Sequence, residues 1–169
     1  MKNIINNMYN LKEEEMTEVV KRVKALLINS KNEIMLGYSY NEYQFPGGHV
    51  EDNESLVQTL NREIKEETGM VLNLSNIEPF ACLSGYWKDW PEKGKNRKTE
   101  VYYFKIFTDE IPNLKATNYT KEEKDGNFEL RYIPLDELEY VLTENAKNYG
   151  DKKGITKEML TLFEHIDKI

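Results

Sequence analysis

The chain has 169 residues, the length of one domain, and its hydrophobic fraction of 39% is sufficient for one sizeable core. Its 30 acidic and 23 basic side chains give a formal net charge of −7. That charge argues against a general nucleic-acid binder, which needs a basic surface to neutralise phosphates. It does not exclude one small phosphorylated molecule, because a bound cation can reverse the local sign of charge.

Cysteine count and hydropathy limit the environment of the protein. The single cysteine, Cys82, cannot form an internal disulfide or a cysteine-based zinc site, so we expect a reducing, cytoplasmic location and a core thiol. No apolar run approaches the ~18–20 residues of a membrane span. The polar first ten residues also lack an apolar signal core. We therefore expect no membrane contact and no stable nucleic-acid binding.

The first half of the chain predicts an arm, a hairpin and a turn. Polar residues 1–17, which end in three glutamates, are expected to form a solvated arm or a covering segment. Apolar runs predict a strand over 19–28 and a second strand over 33–38, together a hairpin. A short extended piece over 43–45 ends at the turn Pro46-Gly47-Gly48.

The next element is a helix. Ser55 and Gln58 match a capping box at its start, an apolar stripe runs through Leu60 and Ile64, and Gly69 is a natural stop. The remaining pattern predicts strands over 70–74, 77–83, 101–107 and 128–133, a helix start at 134–138 and a last helix over about 156–167. This order predicts a mixed sheet with helices packed against it.

Three carboxylates lie on one stripe of the predicted helix. Glu63, Glu66 and Glu67 are spaced i, i+3 and i+4, and such like charges repel unless a cation lies between them. Carboxylate oxygens are ligands that Mg²⁺ and Mn²⁺ prefer. The paired glycines Gly47 and Gly48 permit close backbone approach, so a carbonyl there could also face a metal. The alternatives are a solvated acidic helix face and an ordinary turn.

The fixed spacing of these residues resembles the Nudix box. Its pattern, G-x5-E-x7-R-E-U-x-E-E-x-G-U with U a bulky apolar residue, is matched at every specified position by Gly48, Glu54, Arg62, Glu63, Ile64, Glu66, Glu67, Gly69 and Met70. Phe45-Pro46 before the box and the segment 129–138 are also similar to the family. The resemblance covers about residues 18–142. It leaves out the arm 1–17 and the segment 143–169, which we expect to be a C-terminal helix packed on the same domain.

The resemblance implies an α+β protein, an α/β/α sandwich in which a mixed β-sheet lies between helices and the box forms a loop–helix–loop. It implies hydrolysis of the pyrophosphate bond of a nucleoside diphosphate linked to another moiety, such as a nucleotide or nucleotide sugar, with Mg²⁺ or Mn²⁺. The implied metal ligands are the Gly48 carbonyl, Glu63, Glu66 and Glu67. Glu54 and Gly69 would be structural, and Arg62 would hold the loops with Glu54 and join Glu63 and Glu66 in the catalytic set.

The sequence offers several candidates for the general base and for the substrate contacts. We expect Glu66 or Glu63 to act as the base, with Glu122, Glu123 and Glu129 as later-loop alternatives. Tyr43, Trp87 and Trp90 could stack on the nucleobase of a small nucleotide-like substrate, or they could be ordinary sheet-edge aromatics.

Two other function classes compete with hydrolysis. A Nudix-fold binding or regulatory module without turnover is expected to have lost a box glutamate, and none is lost here. An isoprenoid diphosphate isomerase on the same fold needs a catalytic cysteine in a matching motif, and Cys82 has none. A homodimer is the default oligomeric expectation for a small enzyme.

Overall fold

Residues 1–166 are described by the computed structural model, and they form seven β strands, one short 3-10 turn and four α helices. The strands are β1 Lys2–Asn6, β2 Glu18–Ile28, β3 Glu33–Ser39, β4 Glu42–Gln44, β5 Ala81–Trp87, β6 Arg97–Phe107 and β7 Glu129–Pro134. The helices are α1 Leu56–Thr68, α2 Lys121–Asp125, α3 Leu138–Tyr149 and α4 Ile155–His165, and the 3-10 turn is Glu13–Glu15. Within this part of the chain, no helix is long and apolar enough to cross a membrane.

The strands form one mixed sheet in the order β1-β5-β6-β2-β3-β4, with β7 paired to β3. The pairs β1–β5 and β2–β6 are parallel, whereas the other strand pairs are antiparallel. The β2–β6 ladder runs the whole length of both strands, from Glu18 opposite Arg97 to Ile28 opposite Phe107. These two long strands form the centre of the sheet.

Both faces of the sheet are covered by helices, which explains the continuous apolar run of β2. Val23 and Ala25 point to a cluster that α1 covers through Leu60 and Ile64. Leu26 and its alternating neighbours point to the opposite cluster, where α3 and α4 contribute Leu138, Leu142, Met159 and Leu162. A strand that is buried on both faces has no polar alternation. The expected α/β/α sandwich is therefore confirmed.

The N-terminal segment differs from a solvated arm. Residues Lys2–Asn6 form β1, which pairs in parallel with β5 from Lys2 opposite Ala81 to Asn6 opposite Gly85. Ile4 is 3% exposed within the core, whereas its neighbour Ile5 is 68% exposed. The expectation for residues 1–17 was a solvated arm or a covering segment, and residues 2–6 are paired at the sheet edge rather than free in solvent. One buried side chain in five residues is too short a pattern to predict a strand.

Several element boundaries also differ from those predicted. Residues 70–74 form no strand, and Met70 and Leu74 instead cover the α1 side of the core as a loop. Strand β5 begins four residues later than predicted and β6 begins four residues earlier. Helix α2 was not predicted. In the segment 143–169, residues 143–149 belong to α3, and α4 packs on the domain through Met159 and Leu162. The predicted end of the last helix at 167 lies outside the described residues.

The burial of Ile4 makes β1 part of the folded core. We expect Ile4→Ala to lower the free energy of unfolding by about 2–4 kcal/mol, because it removes buried methyl groups and leaves a cavity. The control Ile5→Ala lies on the exposed side of the same strand and should change stability by less than about 0.5 kcal/mol. Urea unfolding followed by circular dichroism measures both values. Equal small effects would contradict a β1 strand that is packed into the core.

Candidate active site

Helix α1 is fixed at both ends, and this positions its glutamates. At the start, the Ser55 amide donates to Gln58 Oε1 at 2.8 Å and the Gln58 amide donates to Ser55 Oγ at 3.3 Å, which confirms the predicted capping box. At the end, Gly69 adopts a left-handed conformation with φ of 70°. A Cβ at this position would collide with the backbone carbonyl of Asn113, so both conformation and space favour glycine.

The paired glycines lie tightly between β2 and α1. Gly47 has φ of 133°, and a Cβ on it would collide with the Val23 carbonyl. A Cβ on Gly48 would collide with the carboxylate of Glu63. The Val23 amide donates to the Gly48 carbonyl at 3.0 Å. The predicted close backbone approach is therefore present, and one lone pair of the Gly48 carbonyl remains for a further partner.

A buried lysine on β2 binds the backbone of the glycine turn. Lys24 lies on β2, is only 9% exposed, and its Nζ donates to the carbonyls of Phe45 and Gly47 at 2.9 Å each. The Gly47 amide in turn donates to Oε2 of Glu67 at 3.1 Å. Sequence reasoning missed Lys24, although a lysine inside an otherwise apolar buried strand was an available signal, since a buried ammonium must have partners.

Burial shifts the ionisation of this pair in opposite directions. Glu67 is 3% exposed, and desolvation raises its pKa well above the ordinary value, although the nearby Lys24 charge opposes that rise. Burial likewise lowers the pKa of Lys24, against the attraction of Glu67. Each of these two groups therefore stabilises the charged form of the other.

Arg62 connects the two ends of the box. Its Nε and Nη2 donate to the two carboxylate oxygens of Glu54, each at 2.9 Å, and Nη2 also donates to the His49 carbonyl at 3.1 Å. Its Nη1 donates to Glu63 at 2.7 Å and to Glu66 at 3.2 Å. The Arg62 guanidinium holds the pKa of Glu54 at about 2, and these carboxylates raise the pKa of Arg62.

The predicted metal ligands share one wall but do not converge on one point. Within residues 1–166, no three His, Cys, Asp or Glu side chains are arranged to hold a metal ion as they stand. Arg62 draws Glu63 and Glu66 toward itself, while Glu67 is turned to the Gly47 amide. Burial raises the pKa of Glu63, although the hydrogen bond and charge of Arg62 oppose that rise.

This wall faces a cavity of about 660 Å³. Helix α2 contributes Glu122 and Glu123 to the lining of this cavity, whereas Glu129 on β7 pairs with Arg131 and does not line it. Of the lining side chains, the carboxylates are Glu42, Glu51, Glu63, Glu66, Glu67, Glu122 and Glu123, and the cations are Arg22, Lys24, Arg62 and Lys153. The cavity is therefore acidic overall.

The three candidate aromatic contacts are not placed together. Trp87 and Trp90 line a neighbouring cavity of about 340 Å³. Tyr43 is 7% exposed in the core, where it stacks at a tilt on Tyr38 with ring centroids 4.6 Å apart and accepts a hydrogen bond from Arg131. Tyr43 thus presents little surface to a substrate, because both its ring and its hydroxyl are already engaged.

Comparison with known proteins places this site in a family. A model of the NUDIX domain matches residues 19–157. The 8-oxo-dGTP diphosphatase of Buchnera aphidicola subsp. Schizaphis graminum is 28% identical over 122 residues, which cover 72% of this chain and 76% of that protein. The mutator MutT protein of Bacillus halodurans has a TM-score of 0.54 at 23% identity, covering 72% of each chain. The Ap4A hydrolase of C. elegans has a TM-score of 0.48 at 18% identity, covering 86% of this chain and 97% of that one.

The family model spans most of the chain, including strands β2 to β7 from residue 19 onward, α1 and the glycine turn, but not β1. The solved MutT structure shows that the fold is shared, and every specified position of the box is occupied as the motif requires. The chain therefore belongs to the NUDIX family, as a MutT-like Nudix-type pyrophosphohydrolase.

Proposed function

We propose that this enzyme is a divalent-cation-dependent hydrolase that cleaves the pyrophosphate bond of a nucleoside diphosphate linked to another moiety. The observation that carries the proposal is the single acidic wall formed by Glu63, Glu66 and Glu67 against the Gly47–Gly48 turn, open to a cavity of about 660 Å³. A diphosphate cannot approach this wall without a cation, because carboxylates and phosphates repel each other.

The donor set fits Mg²⁺ or Mn²⁺ by its chemistry. Glu63, Glu66, Glu67 and the free lone pair of the Gly48 carbonyl are hard oxygen donors, and these ions favour such ligands with substrate phosphate completing the shell. These four residues would hold the ion, and Glu63 and Glu66 would exchange part of their contact with Arg62 for it. When bound, the ion supplies charge neutralisation on the phosphates and lowers the pKa of a water.

The residues of the chain account for the proton and for positioning. We place Glu66 or Glu63 as the general base that accepts a proton from the attacking water, since both face the cavity. The water oxygen bonds to one phosphorus, the bridging P–O bond breaks, and the leaving phosphate takes the electron pair. Glu122 and Glu123 face the same space from α2 and are the alternative bases, whereas Glu129 lies outside the cavity.

Arg62 and Lys24 act in this proposal as positioning residues. Arg62 joins the loop before α1 to Glu63 and Glu66 through Glu54 and the His49 carbonyl. Lys24 joins the glycine turn to β2 through two carbonyls. Both keep the acidic wall assembled before the cation and the phosphates arrive, which is the preorganisation that electrostatic catalysis requires.

Nucleoside triphosphates are the first substrate class to test. The relative from Buchnera carries the name 8-oxo-dGTP diphosphatase, and a nucleoside triphosphate is a nucleoside diphosphate linked to a further phosphate. Loops set selectivity on a shared scaffold, so the box carries the chemistry and does not choose among the triphosphates.

A substrate screen tests the proposed function directly. We expect purified protein with Mg²⁺ or Mn²⁺ to release phosphorylated products, separated by chromatography, from at least one compound among 8-oxo-dGTP, other nucleoside triphosphates, dinucleoside polyphosphates, ADP-ribose and nucleotide sugars. Addition of EDTA should abolish the release, because the acidic wall then lacks its counter-charge. Release that persists in EDTA, or no release from any compound, would contradict the proposal.

Substitution of the wall glutamates tests their assignment. We expect Glu66→Gln and Glu67→Gln each to lower metal-dependent kcat by about 100-fold or more, because each removes one negative oxygen donor from the cation. The matched control is Glu129→Gln, since Glu129 is paired with Arg131 outside the cavity. Its kcat should stay within about twofold. Unchanged turnover in Glu66→Gln and Glu67→Gln would show that the cation is held elsewhere.

The Glu54–Arg62 pair predicts a pH dependence of stability. The folded-state pKa of Glu54 is about 2, below the ordinary 4.5, so the pair stabilises the fold fully above about pH 5 and loses this contribution as the pH falls toward 2. We expect the Tm of Glu54→Gln to lie below that of the wild type at pH 7, with a difference that narrows under acid. Exposed Glu78 provides the control: Glu78→Gln should show a small, pH-independent difference. A difference for Glu54→Gln that stays constant down to pH 3 would contradict the ion pair.

A further inference from the structure

We propose that the cavity of about 340 Å³ beside the acidic cavity binds the nucleobase of the substrate, and that Arg22 joins the two cavities by binding a phosphate between them. This inference rests on the proposed function, because it names the part of a nucleotide substrate that the acidic wall does not contact. A volume of this size lies within the range of about 300–1,000 Å³ typical of small-molecule sites.

Two tryptophans line this second cavity, and Trp87 is held in place by contacts with its neighbours. The indole Nε1 of Trp87 donates to Oγ1 of Thr99 at 3.2 Å, and the ring lies so close to Gly85 that a Cβ there would be crowded at 3.0 Å. Trp87 nevertheless remains 44% exposed and Trp90 54% exposed. Two indole rings open to one cavity offer faces for stacking a planar base, which is favourable for any base because every base has a π-face.

Arg22 contains an unsatisfied donor between the two cavities. It lies on β2, lines both cavities, and its Nε is buried without a hydrogen-bond partner among the described residues. A buried guanidinium N–H without a partner is costly, so a ligand oxygen that accepts from Arg22 would recover that free energy. Phosphate oxygens suit a guanidinium in both charge and geometry.

The charge of the second cavity is opposite to that of the acidic one. Its cations are Arg22, Arg97, Lys153 and Lys157, against the single carboxylate of Glu158. Arg97 is paired with Glu18 and Lys153 with Glu122, so Arg22 and Lys157 are the two cations of this lining that form no salt bridge within residues 1–166. That carboxylate already accepts a hydrogen bond from the Tyr103 hydroxyl at 2.9 Å. A nucleotide therefore fits here better than a neutral sugar, since the cations attract its phosphate while the indoles contact its planar base.

The chain contains only two tryptophans, and both line this cavity, so intrinsic tryptophan fluorescence reports on it specifically. The experiment titrates metal-free wild-type protein with AMP and GMP, and with ribose 5-phosphate as the probe that lacks a base. We expect AMP and GMP to quench the fluorescence in a saturable way and ribose 5-phosphate to cause little change. No metal and no turnover are needed, so the result is separate from a failure of the hydrolysis itself.

Variants separate the phosphate contact from the base contact. We expect Arg22→Gln and Lys157→Gln to raise the Kd for AMP, about tenfold for Arg22→Gln, because a charged hydrogen bond to phosphate is lost. Trp87→Leu and Trp90→Leu should each raise the Kd about tenfold, read from the remaining tryptophan. Circular dichroism verifies that each variant is folded. The control is Lys93→Gln, which removes a cation from the loop that carries Trp90. Lys93 does not line the cavity, so this variant should leave the Kd unchanged.

Steady-state kinetics on the substrate found in the screen give a second readout. The double variant Trp87→Leu/Trp90→Leu should have a higher KM and a nearly unchanged kcat, because stacking on the nucleobase is equally strong in the ground and transition states. Three results would overturn the inference: no saturable quenching in a protein that hydrolyses its substrate, quenching by ribose 5-phosphate equal to that by AMP, or a Kd unaffected by both Arg22→Gln and Lys157→Gln.

Discussion

The structure of the site depends on the absence of side chains at two adjacent positions. The backbone of Gly47 lies against the Val23 carbonyl of β2, and that of Gly48 lies against the Glu63 carboxylate of α1. Because nothing intervenes, one peptide segment can receive hydrogen bonds from the strand below and present polar groups to the helix above. Any larger residue would separate α1 from the sheet and move the acidic wall away from the turn.

Charged side chains surround the contact between the glycine turn and α1. Lys24 and Arg62 are the two cations nearest the acidic wall, one buried beneath the turn and the other half-buried along the helix. They compensate the carboxylates only in part, since burial still raises the pKa values of Glu63 and Glu67. The net negative charge noticed in the composition is concentrated here: the segment from Gly48 to Met70 holds six acidic and two basic residues, a net charge of −4.

Fixed spacing made α1, its caps and its glutamates predictable, because each depends on residues within one or two helical turns. The hairpin of β2 and β3 was predictable for the same reason. The structure of β1 was not, since its pairing partner lies far away in sequence and only Ile4 marks its buried side. Loop 70–74 resembled a strand because Met70 and Leu74 are buried, and burial alone does not distinguish a covering loop from a strand. Lys24 and Arg22 acquire their roles only through contacts between elements.

The two parallel strand pairs have a consequence for how the chain folds. Lys2 lies opposite Ala81 and Glu18 lies opposite Arg97, so both pairings join residues that are 79 positions apart. The β2–β3 hairpin and α1 can form from local contacts, but the sheet that supports them is incomplete until β5 and β6 have been synthesised. Such non-local pairing slows folding, because a long loop must close before its contacts stabilise it. Helix α1 can therefore form before the sheet that supports it is complete, and the final position of its glutamates depends on pairing between the middle of the chain and its beginning.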